Sequence, residues 1–130
     1  MRLFFTFIPF LVFANSSNDS FLSDVEYGKM LYNNPRGISC SKCHGKEGRG
    51  GHKIAKYYDK FSNPKILKGE SILDYSFDEL KASLEDNFID RHTHKRKRHK
   101  VMPIYYLTDK EINAIYLYLQ SVKKRDKRYK

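Results

Sequence analysis

Only two cysteines occur in the 130 residues, and both fall in one pentapeptide, Cys40-Ser41-Lys42-Cys43-His44. Thiols three positions apart cannot tie distant parts of a chain together. The disulfide framework that compensates for a thin core in small exported domains is therefore excluded. The rest of the composition makes that shortage matter: 40% of the residues are hydrophobic, 31% are charged and the mean hydropathy is -0.69. Such a chain has a modest core, with enough aromatic residues, at 15%, to fold. Its mass of 15.4 kDa leaves room for one compact domain, which excludes two-domain enzymes. Some other staple must hold it together.

The N-terminus directs the chain out of the cytoplasm. Met1-Arg2 is followed by an apolar run from Leu3 to Phe13, about 11 residues, with Val12 and Ala14 as the small residues of a cleavage site. This is the pattern of a secretory signal peptide cut after Ala14, and it implies a periplasmic protein. A buried core helix or an uncleaved anchor are the alternatives, but the run is shorter than the roughly 20 residues that span a bilayer. No cysteine follows it, so a lipoprotein is excluded. The chain divides into a signal peptide (1–14), a polar link (15–21), one domain (22–123) and a basic C-terminal tail (124–130). With 25 Lys and Arg against 15 Asp and Glu, the net charge is +10. An exported domain this basic suits acidic proteins or an anionic membrane surface, and cellular nucleic acid is not within its reach.

Three segments read as helices, and each opens on a capping box, a Ser or Thr with a Glu three residues later. Ser23 and Glu26 open the first, which should run to about Asn34, where Pro35 and Gly37 prevent its continuation. Ser76 and Glu79 open the second, with Phe77, Leu80 and Leu84 on one face and an end near Asn87. Thr108 and Glu111 open the third, with Ile112, Ile115, Leu119 and Val122 on one stripe and Lys123, Lys124 and Arg125 at its C-terminus. Between the first two lies a turn-rich stretch, Gly45 to Gly51 and Pro64 to Gly69, with no period-two alternation, so no sheet is expected. The fold class is all-α: three main helices and long loops that wrap something the chain itself does not supply.

The missing centre is given by the pentapeptide. Cys-x-x-Cys-His is the pattern of covalent c-type haem attachment, in which Cys40 and Cys43 form thioethers to the haem vinyl groups and His44 becomes the proximal iron ligand. A thioredoxin-like thiol pair would want a βαβ context, and half of a zinc site would need distant partners. A second axial ligand is available in Met102, in a loop directly before Pro103, because Met30 lies in the first helix, too near the attachment site to reach the opposite haem face. Metal ligation is thus assigned to His44 and Met102. His92, His94 and His99 are rivals for the second position.

Taken together, Cys40-x-x-Cys43-His44-Gly45, Met102-Pro103 and Leu107-Thr108-Asp109-x-Glu111-Ile112 leading to Tyr118-Leu119 resemble a class I monohaem cytochrome c over essentially the whole mature chain. The resemblance implies a cytochrome c-like fold around a single covalent haem c, with the first and last helices crossing at right angles. Gly28 and Tyr32 fit the first of these and Ile115, Tyr118 and Leu119 the last. It also implies that the Pro64 carbonyl accepts from His44 Nδ1–H and that Leu67 lies on the haem face. The chain departs from the family in having no Trp, so a propionate would be hydrogen-bonded by Tyr57, Tyr58, Tyr75, Tyr105 or Tyr106. The basic run from Arg91 to Lys100 before Met102 is also unusual. With the cations from Lys123 to Lys130 it suggests a surface that steers acidic redox partners, a solvated loop and tail being the plain alternative. Contact with anionic lipid and metal binding by the histidines are further readings. The function implied is that of an exported, monomeric one-electron carrier without substrate turnover. A small peroxidase-like haem protein with a labile sixth ligand, and a non-haem thiol or zinc module, are the alternatives.

Overall fold

A computed structural model of the protein describes residues 21–85 and 101–128. The expected signal peptide, most of the expected polar link, the expected helix end at Asn87, the run from 91 to 100 and His92, His94 and His99 lie outside the described residues. Four helices and one hairpin follow in order: α1 (Asp24–Asn33), α2 (Cys40–His44), β1 (Lys53–Tyr58), β2 (Pro64–Lys68), α3 (Phe77–Leu84) and α4 (Asp109–Arg128).

All three capping boxes close. The hydroxyls of Ser23, Ser76 and Thr108 accept from the amides of Glu26, Glu79 and Glu111 at 3.2, 3.3 and 3.3 Å. The three carboxylates accept in return from the cap amides at 3.0, 2.9 and 2.8 Å. Each box satisfies helix-end donors that would otherwise go unpaired, which is why three short-range signals position the helix starts to the residue. α1 stops with Asn34 as its cap, before Pro35, and α3 stops at Leu84 with Glu85 as its cap. α4 runs on to Arg128, so residues 124–128 belong to the helix and not to a tail. Tertiary ion pairs hold this extension: Arg125 with Glu47, Arg49 with Asp126, and Lys123 Nζ with Asp74 at 2.8 Å.

The core is the packing of α1 and α3 on α4. Leu31 and Tyr32 from α1, Leu80 and Leu84 from α3, and Ile112, Ile115, Leu119 and Val122 from α4 are all buried. The Tyr32 and Tyr118 rings meet with centroids 5.5 Å apart. Gly28 sets the approach of the helices, because a Cβ there would sit 1.9 Å from the Ala114 carbonyl oxygen, where nothing can be accommodated without moving backbone. Two effects of opposite sign meet in Gly28→Ala. On a free helix the change would add about 1 kcal/mol of stability through propensity, whereas separating two packed helices should cost about 1–3 kcal/mol. The expected result is net destabilisation, read as a lower denaturant midpoint of the haem-loaded protein. A raised midpoint would show that the helices do not cross at this glycine.

The helical expectation is added to in one place and corrected in another. The haem-motif segment is itself a short helix, α2, and residues 53–68 form an antiparallel two-stranded hairpin. Its register pairs Tyr58 with Pro64, Tyr57 with Lys65, Lys56 with Ile66 and Ala55 with Leu67, with an irregularity between Lys53 and Ala55. Neither face of the hairpin is buried in a core, so no alternation of polar and apolar residues is imposed and none is present in the sequence. The turn specifies it instead. Asp59 Oδ1 accepts from the amides of Phe61 and Asn63 at 2.9 and 3.0 Å, and Ser62 takes the left-handed region at φ 62°.

Candidate cofactor site

Cys40, Cys43 and His44 share α2, with Cys40 buried and the other two half-buried. A five-residue helix is too short to hold itself in place, and buried tyrosines clamp the chain on both sides of it. Tyr105 donates to the Ile38 carbonyl at 2.6 Å, Tyr32 to the Gly45 carbonyl at 2.6 Å, and Tyr118 to the Lys46 carbonyl at 3.1 Å. Burial is the main reason that all three phenols are pushed up, Tyr105 to about 12. They therefore stay protonated donors across the physiological range. Sequence reasoning missed these roles, since a buried tyrosine that supports the backbone leaves the same pattern as one that only packs. Among the tyrosines proposed as propionate donors, Tyr105 is thus engaged with Ile38. Tyr57, Tyr58 and Tyr106 are exposed, and Tyr75 packs against the core.

His44 is oriented by main chain. Its Nδ1 lies 2.8 Å from the Glu70 carbonyl oxygen. A carbonyl can only accept, so Nδ1 carries the hydrogen and Nε2 keeps its lone pair for a metal. Gly69 allows this contact, because a Cβ there would fall 1.8 Å from the Cys43 carbonyl oxygen. The bridge is completed by Gly69 N–H to the His52 carbonyl at 2.9 Å and Gly51 N–H to the Gly69 carbonyl at 2.8 Å. The expectation for Pro64 is corrected here: it is exposed at the start of β2, paired with Tyr58, and the acceptor for His44 is Glu70. β2 runs from Pro64 to Lys68 before Gly69 packs against Cys43 of α2, which sets the proline carbonyl apart from the imidazole. Leu67, half-buried, stands opposite Ala55 near the α2 end of the hairpin.

Met102 is half-buried against the core, in an irregular segment leading to α4, whereas Met30 is 55% exposed. Tyr105, three residues on, ties this segment at two points, through its amide to the Leu84 carbonyl at 3.1 Å and through its hydroxyl to Ile38, just before Cys40. The structure therefore brings the Met102 segment to the chain that leads into α2.

A second lock lies beside it. Arg36 forms a bidentate pair with Glu111 at 2.6 and 3.1 Å and also reaches the Tyr106 carbonyl at 3.2 Å. The Arg36 guanidinium, helped by the Thr108 amide, holds the Glu111 carboxyl down to about 2 from 4.5. A depressed folded-state value means that the stabilisation is complete above 4.5 and is lost as the pH falls towards 2. Glu111→Gln should cost about 1–2 kcal/mol at neutral pH, discounted for the exposure of Arg36. The gap between the variant and the parent, followed as denaturant midpoint against pH, should close through that acid window. A gap that persists unchanged at pH 2 would show that charge is not its source.

The donor set fits a covalently held haem: two thiols one helical turn apart and an imidazole with its Nε2 free. In the two segments that Tyr105 joins, Ile38, Val101 and Ile104 are about half exposed, apolar surface that a macrocycle could cover. A thiol redox pair needs a depressed thiolate, whereas burial pushes the Cys40 thiol up to about 11. Among the described residues, no group of three His, Cys, Asp or Glu side chains could hold a metal ion.

The sequence model of the cytochrome c family matches residues 25–123, from α1 into the final turns of α4. No curated protein and no solved structure matches the chain. The family binds covalent c-type haem, and Cys40 and Cys43 fit its attachment motif. A match over this much of the chain, joined to the helix crossing at Gly28 and the oriented imidazole of His44, places the protein in the cytochrome c family.

Proposed function

We propose that the protein is an exported one-electron carrier that works in the periplasm, with His44 and Met102 as the axial ligands of a haem held by Cys40 and Cys43. When bound, the haem supplies one-electron redox chemistry at iron. The observation that carries the reading is the double tether of Tyr105, which supports Met102 on the chain entering α2. Pro103 restricts Met102 to extended backbone, and a thioether ligand favours the reduced state and so a raised potential. The fixed Nδ1–H of His44 and the tyrosine clamps keep the protein side of the site in one arrangement, which suits electron transfer more than a reaction that needs an open site.

The basic surface is read as steering acidic redox partners to a monomer, with a larger effect on encounter rate than on affinity. Lys123 and Arg125 are engaged with Asp74 and Glu47. The steering charge is therefore assigned to the run 91–100 and to Lys124, Lys127, Arg128 and Lys130. The test is the absorption spectrum of the exported, matured protein in both redox states, together with acid-organic extraction and N-terminal sequencing. Haem that stays on the chain, a low-spin six-coordinate spectrum with the sulfur-to-iron charge-transfer band, and a mature chain starting at Asn15 are expected. A high-spin or readily ligand-exchanged ferric state would instead favour the catalytic reading.

A further inference from the structure

The hairpin of residues 53–68 exposes charged and apolar side chains together. Its lysines, Lys53, Lys56, Lys60, Lys65 and Lys68, are all exposed, and Asp59 is the single acidic residue in the segment. Large apolar side chains are exposed among them: Tyr58 at 73%, Phe61 at 71%, Tyr57 at 50% and Ile66 at 44%. The contacts of the strands are chiefly with each other. A lone two-stranded hairpin is only marginally stable in water. This one is stiffened by its turn, where Asp59 accepts from the Phe61 and Asn63 amides and Lys60 lies 4.8 Å from the centroid of the Phe61 ring. The base is tied to α2 through Gly69, and the tip stands about 17 Å further along the strands.

We propose that the hairpin tip is an interfacial anchor that seats the protein on an anionic bilayer surface. Cross-strand pairing places Tyr58, Pro64, Lys56 and Ile66 on one face and Tyr57, Lys65, Ala55 and Leu67 on the other. Both faces thus carry an aromatic ring and a lysine, and the turn adds Phe61 and Lys60. A rigid acidic protein would meet one face of such a finger, whereas a headgroup layer surrounds it. Phenol and phenyl rings sit at the boundary of headgroups and acyl chains, and ammonium groups meet the phosphates. The rings are presented by an ordered turn, so little conformational freedom remains to be lost on binding. Among the described residues no helix is long and apolar enough to cross a membrane. The inference does not depend on which side chain takes the sixth position of the iron.

The test is flotation of the haem-loaded protein with vesicles of phosphatidylcholine alone and of phosphatidylcholine mixed with phosphatidylglycerol, at low and high salt. Binding should require the anionic lipid and fall with salt. Lys56→Gln and Lys60→Gln should each weaken it about fivefold, and Phe61→Ser with Ile66→Ser by roughly tenfold. These sites are exposed, and an unchanged haem spectrum and unfolding midpoint confirm that the variants are folded. The inference is overturned if the parent protein ignores the anionic vesicles, or if the tip variants bind them as well as the parent does. It is also overturned if the variants lose only electron transfer to an acidic soluble protein, which would make the hairpin a protein-docking element.

Discussion

Replacing Cys40 and Cys43 together by alanine should leave a chain with no cooperative thermal or denaturant transition. The buried apolar set is one cluster made by α1, α3 and α4, with Cys40, Ile72 and Tyr105 at its margin. α2 contributes five residues and the hairpin is solvent-facing, so neither adds a core of its own. A group bound only by the native state stabilises that state, and covalent attachment keeps it at hand throughout refolding. Small domains have a net stability of only about 5–15 kcal/mol, and loss of the group at the centre of long loops should remove most of it. Circular dichroism through a denaturant titration reads the outcome. A sigmoidal transition close to that of the haem-loaded protein would show that the helices suffice and that the loops do not wrap the cofactor.

What could be read from the sequence was what is encoded locally. Three Ser/Thr to Glu pairs fixed the starts of α1, α3 and α4 because a capping box is complete within four residues. The pattern from Cys40 to His44 exposed the site because thioether spacing and the proximal ligand are adjacent in the chain. Gly28 was legible as part of the helix crossing, but not that the group it admits is the Ala114 carbonyl. The hairpin was illegible because it buries neither face, and its cause is an Asp59 side chain satisfying two amides within its own turn. The acceptor for His44 was illegible for a different reason: it is a main-chain oxygen, which every residue has, and only the close approach at Gly69 selects Glu70. The length of α4 depended on Glu47, Arg49 and Asp74, none of them near its end in sequence. Contacts of long sequence separation are where composition and periodicity stop informing.

Met102→Ala should abolish the long-wavelength sulfur-to-iron charge-transfer band of the ferric protein and lower its reduction potential by on the order of 100 mV, a part of the ~0.8 V range that axial ligands span. The size of the effect follows from the softness of the thioether, which favours the reduced iron, and from the opening that a truncated side chain leaves in a half-buried segment. Azide or cyanide should then bind faster, and weak peroxidase activity should follow from the vacant position. Because Tyr105 holds the segment at Leu84 and Ile38, the loop should stay in place, and the change should be confined to the ligand. Tyr105→Phe provides the complementary result. It removes the hydroxyl bond to Ile38 while keeping the ring, so the band should persist at neutral pH but the sulfur should be displaced at a lower concentration of added imidazole. Histidine ligation predicts no effect of Met102→Ala. If one of His92, His94 or His99 is the ligand, the parent protein lacks the band, Met102→Ala changes neither spectrum nor potential, and replacement of that histidine does. In that case the high-potential carrier gives way to a low-potential bis-histidine protein, and Met102 is a core side chain beneath its loop.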